Sequence, residues 1–581
     1  MPDKPIINCH MHIFTSKHVP PFIAKTFVLW PLYYLLHLGR IVALFRFYFE
    51  YIDSVRFKFL YKLGVKVKTA IAWFFNAIKP VKIPLSYYLT IQAFFILYDL
   101  ISPVEPKLPD AMVVKIEAVR TWLAGYYLLL PKGSTGRQIL LVLVVLLLIP
   151  SGRNLLYFVF SRMWKFLAVL PGPATREMFR RYLNLGRFAF HDRQRTVLSK
   201  IQGQYPDDTA FVILPMDMEF MAAGPVKTSY RCQMAELAEL KANKDLSNII
   251  YPFVFADPRR MEKEDDYFAY EIADGKVVLK PCFIKTYIEE KKFSGIKIYP
   301  ALGYYPFDER LLPLWKYTAD NGLPITTHCI RGTIFYRGWK KLAWNEHPFI
   351  GQSMQKGKHA ALTLPEMKNV DFSVNFTHPM NYLYLLKEER LRMVVAAAKD
   401  DRIRELFGFT DLHTPLQRDL HHLKICFGHY GGDDEWNNFF EKDRFDHSAQ
   451  VIKRPELGIR FSVTTEEKPF EGQSEQLWKY TDWYSIISSM MIQHPNVYAD
   501  ISYILHNNAA ILPLLKETLR NGSLRKKVLY GTDFYVVRNH KSDKNMVADM
   551  QGGLDAADFH AIARDNPRDF LNNRLHGQIP I

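Results

Sequence analysis

The stretch "IINCHMHIF", residues 6–14, places His10 and His12 directly after a short apolar run. Residues i and i+2 of an extended strand point to the same side, so the two imidazoles can bind one ion. Two histidines at this spacing are weak support for a metal site when they stand by themselves. The interpretation therefore depends on whether further ligands follow other strands of the same sheet.

Short apolar segments of the same kind recur between residues 211 and 534. Each is rich in β-branched or aromatic residues, which is typical of a strand buried on both faces. Amphipathic stretches separate them, such as "SYRCQMAELAELKAN" (229–243) and "DERLLPLWKYTADNG" (308–322). The alternation predicts an α/β fold, a (β/α)8 barrel, and leaves a doubly wound open sheet as the alternative. The seven further segments are "FVILPMD" (211–217), "IIYPFVFAD" (249–257), "GIKIYP" (295–300), "PITTHC" (324–329), "KICFGHYGG" (424–432), "VYADISY" (497–503) and "VLYGTDF" (528–534).

Residues 15–195 have a different composition. They hold 25 Lys and Arg against 8 Asp and Glu, whereas the rest of the chain holds 50 against 51. The longest uninterrupted apolar run, residues 139–149, is 11 residues long, and a membrane-spanning helix needs roughly 20. We therefore predict a barrel built from residues 1–14 and 196–581, with 15–195 as an inserted helical, apolar and basic subdomain.

Two interpretations of this insertion remain open. It packs its apolar faces against itself or a second copy, which would give a homodimer, or it is a monotopic module that binds an anionic membrane surface. Nucleic acid is not expected, because no recognised binding module is present and the basic residues alternate with aliphatic runs. Five scattered cysteines without a C-x-x-C pair, and no visible signal peptide, favour the cytoplasm, with peripheral binding at the inner face of the membrane.

Further histidines and a carboxylate stand where the predicted strands end. His328 ends the fifth strand in "TTHC", His429 follows the sixth in "FGHYGG", and Asp533 follows the eighth in "YGTDF". The carboxyl ends of barrel strands converge on one face, so these side chains should meet His10 and His12 there. The motif "CHMH" is therefore interpreted as part of a metal site.

The motifs resemble the amidohydrolase superfamily, in its amidohydrolase-related branch, which includes aminocarboxymuconate-semialdehyde decarboxylase and related hydrolases. They run in the order of that family and cover most of the chain outside 15–195. The long insertion departs from the family, so part of the pocket cannot be inferred from it. The matching pieces are "NCHMHIF", "PFVFADPRR", "SGIKIYP", "PITTHC", "NFTHPMNYLYLL", "KICFGHYGG", "PNVYADIS", "LYGTDF" and "IARDNPRDFL".

The resemblance implies a set of ligands and two catalytic groups. Its ligands for one divalent ion, zinc or alternatively manganese, are His10, His12, His328 and Asp533. Imidazole and carboxylate ligands suit zinc and leave a position open for solvent. His429 would polarise the substrate or transfer a proton, and Asp533 would accept the proton from the attacking water.

Lys297, at the end of the fourth strand, leaves the number of ions open. In two-metal members of the superfamily a carboxylated lysine at this position bridges two ions, and in the one-ion branch the lysine faces an anionic substrate. From their places near strand ends we also predict substrate contacts by Tyr299, Arg331 and Asn381. Asp217 is interpreted as a solvated loop carboxylate.

Three functions follow from these observations. The first is a metal-dependent hydrolase at the membrane surface, acting on an apolar or lipid-derived ester, amide or lactone. The second is a metal-dependent decarboxylase of an unsaturated or aromatic acid. The third is a non-catalytic membrane scaffold, which gives no physical reason to keep an open, charged cluster of ligands.

Overall fold

The fold is described from a computed structural model. The structure describes residues 4–20, 66, 69, 79–101, 109–131, 133–148, 191–332, 334–353, 359–364, 369–441, 444–461, 471–534, 537 and 540–577. The chain separates into two compact units, one holding 4–20 and 191–577 and the other holding the described residues from 66 to 148. Residues 21–65 and 149–190 of the predicted insertion lie outside the described residues.

Eight parallel strands form the sheet of the first unit, in the order β1-β2-β3-β6-β7-β10-β11-β12. The other four strands form the antiparallel hairpins β4–β5 and β8–β9. The strands of the described part are β1 (Ile7–Met11), β2 (Ala210–Ile213), β3 (Ile250–Phe255), β4 (Tyr270–Ala273), β5 (Lys276–Leu279), β6 (Gly295–Ile298), β7 (Pro324–His328), β8 (Glu346–Ser353), β9 (His359–Thr363), β10 (Lys424–Gly428), β11 (Val497–Asp500) and β12 (Val528–Leu529).

The first and last strands of the sheet close it into a barrel. Met11 pairs in parallel with Phe534. The amide of Cys9 donates to the carbonyl of Tyr530 at 2.8 Å, and the amide of Asp533 donates to the carbonyl of His10 at 2.9 Å. The predicted (β/α)8 barrel is therefore confirmed, and the open-sheet alternative is wrong because no edge remains between β1 and β12.

Helices connect the strands and pack their apolar residues against them. The stretch 229–243 forms a helix from Tyr230 to Ala242, capped by the hydroxyl of Ser229. The longer helices of this unit are Gln194–Gln202, Tyr230–Ala242, Pro258–Lys263, Leu312–Asn321, Asn369–Thr377, Glu388–Ala397, Asp401–Phe407, Asp433–Asn438, Glu471–Tyr480, Trp483–Gln493, Asn508–Arg520, Asp543–Gly553, Ala556–His560 and Asn566–Leu571.

The described part of the second unit consists of helices Lys79–Ile101, Asp110–Gly125 and Thr135–Leu148. They leave large apolar side chains exposed, among them Tyr87, Val114, Trp122 and Leu140. None of the helices in the described part is long and apolar enough to cross a membrane. The boundaries of the insertion, 15 and 195, stay a prediction. Helix Gln194–Gln202 includes residue 195, so the second boundary lies inside a helix.

Candidate metal centre

His10 and His12, at the end of β1, are both bonded to the protein through the ring nitrogen Nδ1. Nδ1 of His10 donates to Oδ2 of Asp500 at 2.9 Å, and Nδ1 of His12 donates to the carbonyl of Leu214 at 2.7 Å. These acceptors hold the proton on Nδ1 and leave the lone pair of each Nε2 free. Nε2 of His10 is buried and has no hydrogen-bond partner.

Asp533 brings a carboxylate to these two nitrogens. Its Oδ1 lies 3.5 Å from Nε2 of His12 and 3.9 Å from Nε2 of His10. The three residues form a buried group of ligand atoms within 4.8 Å of one another. Asp533 adopts a positive φ of 55°, a conformation that costs a non-glycine residue free energy and that clusters at functional sites.

His328 and His429 are bonded to each other instead. Nδ1 of His328 lies 3.1 Å from Nε2 of His429, and Nδ1 of His429 lies 3.0 Å from the hydroxyl of Ser502. That hydroxyl donates to Oδ1 of Asp500. The hydroxyl therefore accepts from Nδ1 of His429, and Nε2 of His429 accepts from Nδ1 of His328. Nε2 of His328 is left unprotonated, and it is buried without a hydrogen-bond partner. His328 lies outside both groups of close metal-ligand atoms found among the described residues.

Asp500 is the residue that the motif analysis missed. It accepts hydrogen bonds from the ring of His10, from the amide of His429, and from both the amide and hydroxyl of Ser502. It also forms a second group of close ligand atoms with His10 and His429. The signal was available in "VYADIS", where a carboxylate ends a fully buried strand, because such a charge needs partners.

Lys297 places a cation beside this cluster. It is fully buried near the end of β6, and its Nζ has no hydrogen-bond partner. Burial lowers its pKa to about 8, although the charges of Asp500 and Asp533 oppose the change. Burial likewise raises the pKa of Asp533 well above its usual range, against the attraction of Lys297.

The imidazoles are in the neutral form that binds metals. Burial, and then the charge of Lys297, lowers the pKa of His12 to about 3. Burial also holds the pKa values of His10, His328 and His429 well below the usual range. Four neutral imidazoles therefore lie in this cluster near pH 7, in the protonation state that binds metals.

These residues fit a divalent ion. Unpaired polar atoms are rare in buried positions because each costs free energy, yet Nε2 of both His10 and His328 is unpaired here. Imidazole and carboxylate ligands suit zinc and also manganese. His10, His12 and Asp533 would hold the ion with the side chains as they lie.

Of the three residues predicted to contact the substrate, only Tyr299 contacts a residue of the candidate centre. Tyr299 stacks on His328 with ring centroids 3.9 Å apart, beside the centre. Arg331 is exposed in the segment after β7. The side-chain oxygen of Asn381 accepts from Nε2 of His347, and its amino group donates to the carbonyls of Asn375 and Phe376. These contacts give Asn381 a structural role and do not support the predicted substrate contact.

The interpretation of Asp217 as a solvated carboxylate is wrong. Asp217 is fully buried and pairs with Arg260, whose Nε lies 2.6 Å from its Oδ2. Burial raises its pKa to about 6 despite that partner. The pair joins the segment after β2 to helix Pro258–Lys263.

No protein-family model matches this chain, and the search of curated proteins found no match. Several solved structures do match. A 2,6-dihydroxybenzoate decarboxylase from Rhizobium is 13% identical, with a TM-score of 0.36, over 69% of this chain and 93% of that chain. An amidohydrolase from Burkholderia multivorans with bound zinc is 9% identical, with a TM-score of 0.31, over 67% of this chain and 91% of that one.

A 5-carboxyvanillate decarboxylase from Novosphingobium aromaticivorans, complexed with manganese, is 12% identical, with a TM-score of 0.32. It covers 66% of this chain and 84% of its own. At these identities and TM-scores the similarity supports neither a reaction nor a substrate for this chain.

Proposed function

We propose that this chain is a metal-dependent hydrolase whose ion is held by His10, His12 and Asp533, with His328 as a further ligand. The observation that carries the proposal is the fixed orientation of the β1 imidazoles. Both give Nδ1 to a protein oxygen and turn Nε2 towards Oδ1 of Asp533. A pair packed only for stability would have no need to leave Nε2 of His10 buried and unpaired.

A bound divalent ion supplies Lewis-acid activation of water or of a substrate oxygen. The side chains around it move and hold protons. Asp533 is suited to accept a proton on a carboxylate oxygen, because its pKa is raised by burial. His429 is suited to relay a proton, because its Nε2 faces Nδ1 of His328 and its Nδ1 donates to the hydroxyl of Ser502, which in turn donates to Asp500.

Metal content per chain tests this proposal. We expect about one zinc or manganese per chain after purification without chelator, retained in His421→Ala and lost in His12→Ala. His421 is an exposed matched control. About two ions per chain that fall in Lys297→Ala would instead indicate a carboxylated lysine bridging a two-ion centre. A well-folded wild type that takes up no metal on reloading would contradict the proposal.

A decarboxylase is the second candidate, and Lys297 is the observation that favours it. An unpaired, buried cation beside the centre is suited to hold the carboxylate of an acidic substrate. The two reactions differ in what they consume. Incorporation of oxygen from labelled water into the product supports hydrolysis, whereas release of carbon dioxide without such incorporation supports decarboxylation.

We further propose that the helical unit binds the cytoplasmic membrane surface, and that the substrate is apolar or lipid-derived. The support is its exposed apolar side chains, including Val114 and Trp122, within a segment of strong basic excess. Sedimentation with phosphatidylserine vesicles tests it. A chain that never sediments with them and forms a homodimer in solution would favour the packing alternative.

A further inference from the structure

A second exposed apolar feature lies on the barrel itself. Residues 329–345, here named the rim loop, connect β7 to β8 and so leave the barrel at the end of the strand that carries His328. Trp339 is 94% exposed and Leu342 is 85% exposed. Apolar side chains exposed close together mark interaction sites on a protein surface, and these two lie three positions apart in the loop.

The base of the rim loop is fixed to the barrel. The amide of Tyr336 donates to the carbonyl of Ala301 at 2.9 Å, and the amide of Arg337 donates to the carbonyl of Met221 at 2.8 Å. On the other side of the tip, Trp344 stacks on Phe372 at an interplanar angle of 19°. The backbone therefore holds the exposed pair outward on a structured support.

The rim loop is also basic. Between residues 329 and 345 the sequence holds four Lys or Arg and no Asp or Glu. The barrel sequence as a whole has almost no net charge, with 50 basic against 51 acidic residues outside 15–195. Lys341 is exposed next to the tip, and Arg331 is exposed near the start of the loop. Two exposed cations thus lie in the same loop as the two apolar side chains, one of them between Trp339 and Leu342 in sequence.

We propose that the rim loop is a membrane anchor that inserts Trp339 and Leu342 into the interface of an anionic bilayer. Apolar tips flanked by Lys and Arg fit such an interface, where the rings lie at headgroup level and the cations contact anionic lipid. A protein partner fits less well. A stable interface buries about 800 Å² on each side, whereas one aromatic side chain buries about 150–250 Å².

This anchor is independent of the helical unit, because it rests on other residues. It also has a consequence for the candidate site. Active sites of these barrels open at the carboxyl ends of the strands, and the rim loop leaves from that end of β7. If the proposed function holds, the bilayer meets the barrel on its catalytic face, and an acyl-chain or other lipid-borne substrate enters from the membrane.

Tryptophan quenching by brominated phosphatidylcholine in vesicles with phosphatidylserine tests the anchor in the full chain. Trp339→Phe keeps an apolar ring at the tip but removes the reporter, and we expect it to lose part of the quenching that wild type shows. Trp122→Phe makes the matched change in the helical unit. Quenching that falls only in Trp122→Phe would overturn the anchor and support membrane binding by the helical unit. Quenching that falls only in Trp339→Phe would support the anchor and count against membrane binding by the helical unit.

Vesicle partitioning gives a second readout. Trp339→Ala combined with Leu342→Ala should lower the partition coefficient at least about tenfold, because two apolar side chains no longer leave water. Lys341→Ala should lower it about fivefold on vesicles of equal phosphatidylcholine and phosphatidylserine and leave it unchanged on phosphatidylcholine alone. Leu412→Ala, an exposed leucine before β10, is the control. Partitioning that is equal in all four proteins would overturn the anchor.

Discussion

The two histidine pairs of the candidate centre are held in different ways. His10 and His12 each give Nδ1 to an oxygen of the framework and leave Nε2 for Asp533. His328 and His429 bond to each other, and His429 continues through Ser502 to the carboxylate. In the proposed function the first pair holds the ion, whereas in the second pair His328 adds a ligand and His429 transfers a proton. The residue type is the same, so the partner of Nδ1 is what distinguishes the four rings.

Acid should have the largest effect on both pairs. The four imidazoles have lowered pKa values in the folded chain, with that of His12 at about 3. Between pH 6.5 and that value the unfolded chain binds protons that the folded chain does not, so the free energy of unfolding falls as the pH falls. Each such histidine contributes up to about 1.4 kcal/mol per pH unit. Circular dichroism should therefore show unfolding well above pH 3.

Zinc sharpens this acid experiment. An ion that binds only the folded chain stabilises it by mass action, so added zinc should move the acid transition to lower pH in wild type. The same shift should be absent in His12→Ala. A transition that zinc does not move in either protein would mean that the neutral imidazoles are not ligands.

Removal of Asp500 should damage both pairs at once, because both are anchored on it. Asp500→Ala leaves the buried ring of His10 and the hydroxyl of Ser502 without their acceptor. We expect a loss of about 3–5 kcal/mol in the free energy of unfolding, measured by urea denaturation. Asp434→Ala, at an exposed carboxylate, should change it by less than about 0.5 kcal/mol. An equally small loss in Asp500→Ala would show that the two pairs are held separately.

Lys297 is expected to destabilise the metal-free chain. Its pKa is lowered from 10.5 to about 8 by burial, which corresponds to about 3 kcal/mol at 1.36 kcal/mol per unit. Stability should therefore rise as the pH increases from 8 towards 10.5, where the unfolded chain holds the extra proton. Lys297→Met should be more stable than wild type at pH 7, by up to this amount, and should show a smaller rise. Part of the rise remains because burial also lowers the pKa values of Lys241, Lys424 and Lys527 to about 8. Lys544→Met, at an exposed lysine, should show the full rise of wild type.

Ser502→Ala should have the smallest effect and should act on one pair only. It removes the hydroxyl between His429 and Asp500, a change of about 0.5–1.5 kcal/mol in the free energy of unfolding. Metal content should stay at the wild-type level, because the β1 imidazoles keep their acceptors. Ser523→Ala is the exposed control. Loss of metal in Ser502→Ala would contradict this prediction and show that metal binding by the first pair depends on the second.

The sequence was sufficient for the strands and for the residues that end them. Apolar runs and their order predicted the barrel, and His10, His328 and Asp533 all lie at the strand ends expected of them. Partners that join distant segments were not predictable. Asp217 meets Arg260, 43 residues away, and Asn381 meets His347 of the β8–β9 hairpin, which no sequence pattern had indicated. Periodicity reports burial along one element and is silent about which side chains two elements share.

Closure of the barrel between β1 and β12 also determines when the centre can exist. Asn8 donates to Thr532 at 2.8 Å across 524 positions of sequence, and the amide of Asp533 donates to His10. Contacts of such separation form late in folding because the loop-closure entropy is lost first. At about 5–20 residues per second of synthesis, the first histidines wait roughly half a minute to two minutes for their carboxylate. His10 and His12 therefore leave the ribosome well before Asp533 is made, so an ion shared by these three side chains would bind only after nearly the whole chain has been synthesised.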